Sequence, residues 1–130
     1  MNNRFSEFYN PRFMSECDKL YKKQFKKVCN KEKFSDEVDA AKIIITNYAL
    51  TKGKVIDYSG SIVTPPQFEI RKYRYNSEIL RLGSRQAYRF VALIDKVKET
   101  IIFLTVYTKK VKNDVTMAEI KKLVDELPEE

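Results

Sequence analysis

The stretch YRFVALIDKVKETIIFLTVY, residues 88–107, decides the fold. It contains two runs rich in β-branched and aromatic residues, 88–94 and 100–107, separated by the polar segment 95–99. Two such runs around a short polar connection predict a β-hairpin. Both runs have apolar residues on both faces of the strand that each would form. We therefore expect the two strands at the centre of a sheet that is covered on both faces.

Further elements are predicted on either side of this hairpin. Strand-forming residues occupy 68–73 and 77–82, with a break near Asn76, and a short strand is predicted at 4–9. The segment 54–67 contains Gly60 and the pair Pro65-Pro66, which predicts a loop or an irregular edge segment. After the hairpin, Thr116 and Glu119 have the spacing of a capping box, so a short C-terminal helix should begin there.

Two helices are predicted between the first strand and the loop. Asn10-Pro11 favours a helix start, and apolar residues spaced by three and four indicate a helix over 11–28. The second helix should begin at Ser35 and span 35–52, although the β-branched run 43–46 is also compatible with a strand. The predicted order is therefore β-α-α-β-β-β-α. This is an α+β fold forming a single domain over 1–130, with two N-terminal helices packed on a mainly antiparallel sheet.

The composition excludes several classes of active site. The chain has no His, which removes His-based acid–base catalysis, His-activated nucleophiles and His-containing zinc sites. Two Cys cannot build a four-thiolate metal site, and neither a P-loop nor a dinucleotide-binding motif is present. We therefore expect no cofactor and no metal. No apolar run approaches the ~20 residues of a membrane span, so we expect a cytoplasmic protein without a membrane partner.

Positive charge is concentrated in two blocks of the chain, which has a formal net charge of +7. Residues 19–33 carry seven Lys against one Glu, and residues 69–112 carry eleven basic against four acidic residues. This pattern predicts a polyanionic partner, while a solvated helix face is the alternative for the first block. The candidate RNA-binding residues are the basic side chains of these blocks that stand on a predicted helix face, beside tyrosines or in a turn: Lys22, Lys23, Lys26, Lys27, Arg71, Arg74 and Arg85.

Several stretches, in their order and spacing, resemble the RelE/ParE toxin superfamily. They are FYNPRFM (8–14) with DKL (18–20), LRLG (80–83) followed by YRFVALI (88–94), and IIFLTVYTKK (101–110). The resemblance implies a small toxin of a toxin–antitoxin pair. Most relatives enter the ribosome and cleave messenger RNA without a metal, and others block DNA gyrase. A cognate antitoxin protein is the further partner that the resemblance implies, besides the ribosome and mRNA.

The resemblance also implies a catalytic site. Arg89 matches the strand arginine that contacts the scissile phosphate, and Arg81 falls near a second basic position on the adjacent strand. Lys109 and Lys110 match the basic pair that leaves the last strand. An ion pair with a carboxylate such as Glu78 is the alternative role for Arg89, because an unpaired charge inside an apolar strand is costly.

The chain departs from the pattern of the superfamily at one position. The nucleases of the superfamily carry a His or Tyr near the start of the last helix, where this chain has Val115-Thr116-Met117. Tyr107 lies nearby on the preceding strand. A toxin that binds a protein target such as gyrase, or an RNA-binding module without cleavage, is therefore the alternative function.

Overall fold

A computed structural model of the chain describes residues 5–7, 11–58, 66–80 and 87–127. The described residues form five strands and three α-helices. The strands are β1 (Ser6–Glu7), β2 (Lys54–Ile56), β3 (Phe68–Asn76), β4 (Ala87–Asp95) and β5 (Thr100–Tyr107). The helices are α1 (Pro11–Leu20), α2 (Lys31–Asn47) and α3 (Met117–Asp125), and a π-helical turn (Tyr21–Phe25) follows α1 directly.

The strands form a mixed sheet in the order β1-β5-β4-β3-β2. β1 runs parallel to β5, and the other neighbouring pairs are antiparallel. The predicted hairpin is confirmed as β4 and β5. Its turn is stabilised by the Asp95 carboxylate, which accepts hydrogen bonds from the backbone N–H groups of Val97 and Lys98, both at 3.0 Å. The α+β class is therefore correct, and β4 and β5 lie inside the sheet as expected.

Each face of the sheet is covered by its own apolar cluster. On the face that we call the α1 face, Phe90 and Phe103 pack against Phe13, with ring centroids 6.2 and 5.5 Å from the Phe13 ring. On the opposite face, the α3 face, Ile70, Val91 and Leu104 pack with buried residues of α3. The alternation of side chains along β4 supplies both clusters, because neighbouring residues of a strand point to opposite faces. The two-sided apolar pattern of the sequence reflects this arrangement.

The order of elements along the chain differs from the predicted one. β2 lies inside the segment predicted as a loop or an irregular edge segment, and it pairs with β3 as the edge strand of the sheet. The chain therefore has one strand more than the predicted order β-α-α-β-β-β-α. Gly53 precedes β2 with a φ of 77°, a conformation that favours glycine and lets the chain turn into the strand. β3 is one continuous strand that ends at Asn76, and 78–80 form a turn, so the predicted strand over 77–82 is wrong where the structure describes it.

The two N-terminal helices also differ from the prediction. The helix expected over 11–28 changes at Tyr21 into the π-helical turn. α2 begins at Lys31 rather than Ser35, because Asn30 caps it by accepting a hydrogen bond from the backbone N–H of Lys33 at 2.8 Å. Residues 43–46 are helical, which excludes the strand alternative. α1 lies directly against β5, whereas α2 reaches the sheet through aromatic contacts such as Phe34 with Tyr88, so the predicted packing holds only in part.

Glu37 of α2 connects this helix to the turn that follows β3. Its Oε1 accepts hydrogen bonds from the hydroxyls of Ser77 and Tyr88, both at 2.6 Å. Its Oε2 accepts from the backbone N–H groups of Glu78 and Ile79 at 2.8 and 3.2 Å. One carboxylate therefore holds the turn in place and satisfies the buried phenol of Tyr88.

The remaining predictions concern the C-terminal helix and the membrane. The capping box of Thr116 and Glu119 is present, and α3 begins immediately after it. Cys17 and Cys29 are both free thiols. In the part of the chain that the structure describes, no helix has the length and apolar character to cross a membrane.

Candidate functional site

Arg89 lies near the start of β4 on the α3 face. Its neighbours Tyr88 and Phe90 belong to the α1-face cluster, so the alternation of the strand places Arg89 on the opposite face. Arg89 is 7% exposed, and its Nη1 donates a hydrogen bond to the carbonyl oxygen of Ala87 at 3.1 Å. The strand register places Arg74 of β3 on one side of Arg89 and Tyr107 of β5 on the other. The guanidinium is thus held in a rigid, largely buried part of the sheet.

A cluster of positive charge surrounds this position. Lys72 and Arg74 alternate with the α1-face residue Tyr73, which places both on the α3 face with Arg89. We call Lys72, Arg74 and Arg89 the cationic cluster. Arg74 and Arg89 are directly opposite each other, and like charges in that relation destabilise a strand pair. An anion that contacts both guanidinium groups would offset this repulsion.

A phenol and a carboxylate lie beside the cationic cluster. Tyr107 Oη donates a hydrogen bond to Asp114 Oδ1 at 2.7 Å, and the Val115 N–H donates to the same oxygen at 2.8 Å. Burial and the bond to Asp114 raise the pKa of Tyr107. The bond from Tyr107 in turn holds the pKa of Asp114 below its usual value. At neutral pH the phenol therefore keeps its proton and the carboxylate is ionised.

The turn after β5 brings further basic residues to the same end of the sheet. Lys109 and Lys110 are exposed in this turn, two and three residues beyond Tyr107. The Thr108 hydroxyl donates a hydrogen bond to the side chain of Gln24, which fastens the turn to the π-helical turn. The two predicted lysines are therefore close along the chain to the residue that pairs with Arg89, and their ammonium groups face solvent.

A second basic surface lies on the π-helical turn and the residues that follow it. Its members are exposed, and the described part of the chain offers none of them an ion-pair partner: Lys22, Lys23, Lys26 and Lys27, which we call the basic turn. The adjacent Lys31 differs, because it pairs with Asp18 at 2.6 Å. The π-helical geometry directs the ring of Phe25 inward, where it stacks on Tyr88 at 5.5 Å. The lysines consequently face outward.

The other predicted residues are not part of these two surfaces. Arg71 points to the α1 face, where its Nη1 donates to the Lys52 carbonyl at 3.0 Å and its Nε lies 3.5 Å from Glu69 Oε1. Arg81 and Arg85 lie outside the described residues. The structure thus brings together Arg89 and Arg74, with Lys109 and Lys110 at the same end of the sheet, and it keeps Arg71 apart.

Sequence reasoning missed two residues of this site. Lys72 carries a signal, because it stands two positions from Arg74 and therefore shares its face in a strand. Asp114 carries none, because it lies in a polar connection and reaches Tyr107 only through the path of the chain. Within the described residues, Cys, Asp and Glu side chains do not gather in groups of three or more that are suited to a metal ion.

Comparison with known proteins does not place the chain in a family. No protein-family model matches it, and no curated protein matches it at a significant level.

Proposed function

We propose that this protein is the toxin of a toxin–antitoxin pair and cleaves messenger RNA on the ribosome. The observation that supports this most directly is the cationic cluster beside a phenol that keeps its proton. Cleavage by attack of the 2′-oxygen on phosphorus needs removal of the 2′-hydroxyl proton, which passes to water, charge stabilisation on the phosphate and a proton for the departing 5′-oxygen. The resemblance to the RelE/ParE toxins leads to the same reaction, with cytoplasmic ribosomes and mRNA as partners.

In this proposal Arg89 binds the scissile phosphate. Its planar guanidinium offers paired donors that match two phosphate oxygens, and its burial in β4 fixes their direction. Arg74, directly opposite, stabilises the charge that develops on the phosphate. Lys109 and Lys110 hold the neighbouring part of the RNA from the turn after β5.

Tyr107 is proposed to donate the proton to the 5′-oxygen. Its phenol stays protonated because burial raises its pKa, and it lies in register with Arg89. It takes the role that the superfamily gives to a His or Tyr near the start of the last helix. The basic turn supplies attraction to ribosomal RNA that does not depend on sequence. A cognate antitoxin protein is the partner that would control the activity.

The test is cleavage of message on translating ribosomes, mapped by primer extension. A transition-state contact to the phosphate is worth ~2.7–4 kcal/mol, so Arg89→Ala should reduce the cleavage rate ~100-fold or more. Arg89→Lys should retain more activity than Arg89→Ala, because it keeps a positive charge. The thermal midpoint of each variant separates loss of catalysis from loss of fold.

Lys109 and Lys110, in the turn after β5, have a matched control in the chain. Lys109→Gln with Lys110→Gln should weaken cleavage, whereas Lys121→Gln with Lys122→Gln removes the same charge from the exposed side of α3 and should not. Intact message together with arrested growth would replace this proposal by a protein target such as gyrase. Binding of RNA without cleavage by the wild type would leave an RNA-binding module.

A further inference from the structure

One oxygen of Asp114 collects hydrogen-bond donors from three parts of the chain. Lys72 Nζ of β3 lies 3.3 Å from Asp114 Oδ1, and Tyr107 Oη of β5 lies 2.7 Å from it. The third donor is the N–H of Val115, next to Asp114 in the chain. An ammonium and a phenol converging on one anionic oxygen form the kind of contact that binds a phosphate oxygen.

Asp114 can leave this position without breaking the elements around it. Its side chain is 59% exposed and it belongs to the connection between β5 and α3. α3 is capped by Thr116 and Glu119, and that cap does not use Asp114. Lys72 and Tyr107, by contrast, are held by paired strands. The donors are therefore fixed, whereas the acceptor sits on an exposed connection.

The charge of the surface favours an external anion here. The cationic cluster places Lys72, Arg74 and Arg89 on the face where Asp114 is the carboxylate within reach of Lys72. Lys109 and Lys110, exposed two and three residues beyond Tyr107, add further positive charge for a phosphate ligand.

We infer that Lys72 and Tyr107 form a phosphate subsite for single-stranded RNA, and that Asp114 fills this subsite in the free protein until RNA displaces it. The inference rests on the proposed function and adds to it that Lys72 joins Arg89 and Tyr107 at the scissile phosphate once Asp114 has left. Asp114 then weakens RNA binding, because its carboxylate competes with the phosphate for Lys72.

The experiment measures binding of a short, labelled single-stranded RNA by fluorescence anisotropy at several salt concentrations. The RNA is 2′-O-methylated so that it cannot be cleaved. Asp114→Asn should bind about threefold more tightly, the size of an exposed ion pair that no longer has to be broken. Its slope of log K against log salt should equal that of the wild type, because RNA reaches Lys72 in both proteins, whereas Lys72→Gln should lower the slope by about 0.7 through the loss of one phosphate contact.

A matched control separates the subsite from a general effect of charge. Asp125→Asn also removes one exposed carboxylate from a lysine pair, the one with Lys121 at 2.7 Å, and should change neither affinity nor slope. In a Lys72→Gln background, which itself binds more weakly, Asp114→Asn should bring no gain. Asp114→Ser serves as a second variant, and thermal melting confirms that each variant is folded.

The possible outcomes distinguish this inference from the proposed function. An equal gain from Asp114→Asn with and without Lys72, or an equal gain from Asp125→Asn, would overturn the subsite while RNA binding stands. A gain seen only with an acidic polyglutamate peptide in place of RNA would overturn it in favour of a protein ligand. A wild-type protein that binds no RNA would overturn the proposed function together with the subsite.

Discussion

Replacement of the four lysines of the basic turn should lower the salt dependence of ribosome binding and leave the protein folded. The perturbation is the conversion of Lys22, Lys23, Lys26 and Lys27 to Gln, which lowers the formal net charge from +7 to +3. All four side chains are exposed. Exposed substitutions of this kind change the free energy of unfolding by about 0.5 kcal/mol or less each. Their effect on association should therefore be measurable on a folded protein.

The expected magnitude follows from counterion release. Each lysine that neutralises a phosphate contributes about 0.9 to the slope of log K against log salt for duplex and about 0.7 for single strands. Four contacts therefore contribute roughly 3 to the slope. When salt rises about fourfold, from ~50 to ~200 mM, the wild type should lose roughly 50- to 150-fold more affinity than the variant.

The assay is sedimentation of the protein with purified ribosomes at a series of salt concentrations. The control converts four other exposed lysines to Gln: Lys54, Lys96, Lys121 and Lys122. This control has the same net charge as the variant. Equal slopes for the variant and the wild type would refute the role of the basic turn. Equal loss in the control would show that net charge alone, and not this surface, governs binding.

Three further predictions concern stability and reactivity. Glu37→Ala should lower the free energy of unfolding by about 2–4 kcal/mol in urea denaturation, because it leaves the buried Tyr88 hydroxyl without its acceptor. Gly53→Ala should cost about 1–3 kcal/mol in the same assay, since a Cβ at a φ of 77° would lie 2.7 Å from the Lys72 carbonyl oxygen and a Tyr73 ring carbon; an unchanged midpoint would contradict the described turn. Burial raises the pKa of Cys17 from 9.0 to about 12, so its alkylation at pH 8, followed by mass spectrometry, should be far slower in the folded protein than in urea. The stabilisation from this neutral thiol is fully present below pH 9.0 and is lost as the pH rises towards 12.

The central hairpin and the last helix were predictable because their signals are local. The alternation and β-branched content of 88–94 and 100–107 are enough to indicate β4 and β5, which the structure places at nearly those bounds. The capping box of Thr116 and Glu119 satisfies its own helix terminus, so it can be recognised without knowledge of the fold.

The start of α2 was mispredicted because two residues are both good N-caps. Asn30 and Ser35 each suit that position by local chemistry. A helix that begins at Lys31 includes Phe34, whose ring lies 4.8 Å from Phe25 and 6.2 Å from Tyr88. Burial of Phe34 favours the earlier start of the helix. Its contact with Tyr88 joins residues that are far apart in the chain.

The edge strand and the break in the first helix also depend on tertiary contacts. β2 has three residues and a weak local signal, and it is a strand because β3 supplies its hydrogen-bond partners. The π-helical turn shifts the helical phase so that Phe25 stacks on Tyr88 and the Tyr21 hydroxyl reaches the Cys29 carbonyl at 3.0 Å. The spacing of apolar residues in the sequence does not reveal this wider, i→i+5 hydrogen-bonded turn.

By itself, the sequence determined the class of the fold, the central hairpin, the absence of histidine chemistry and the concentration of positive charge. The tertiary structure alone decided which charges meet. Strand register sets Arg89 between Arg74 and Tyr107, and the path of the chain after β5 carries Asp114 to Lys72 and Tyr107. The physical reason is that side chains on neighbouring strands come together through backbone pairing between distant segments, and a shift of one residue would turn them to the other face.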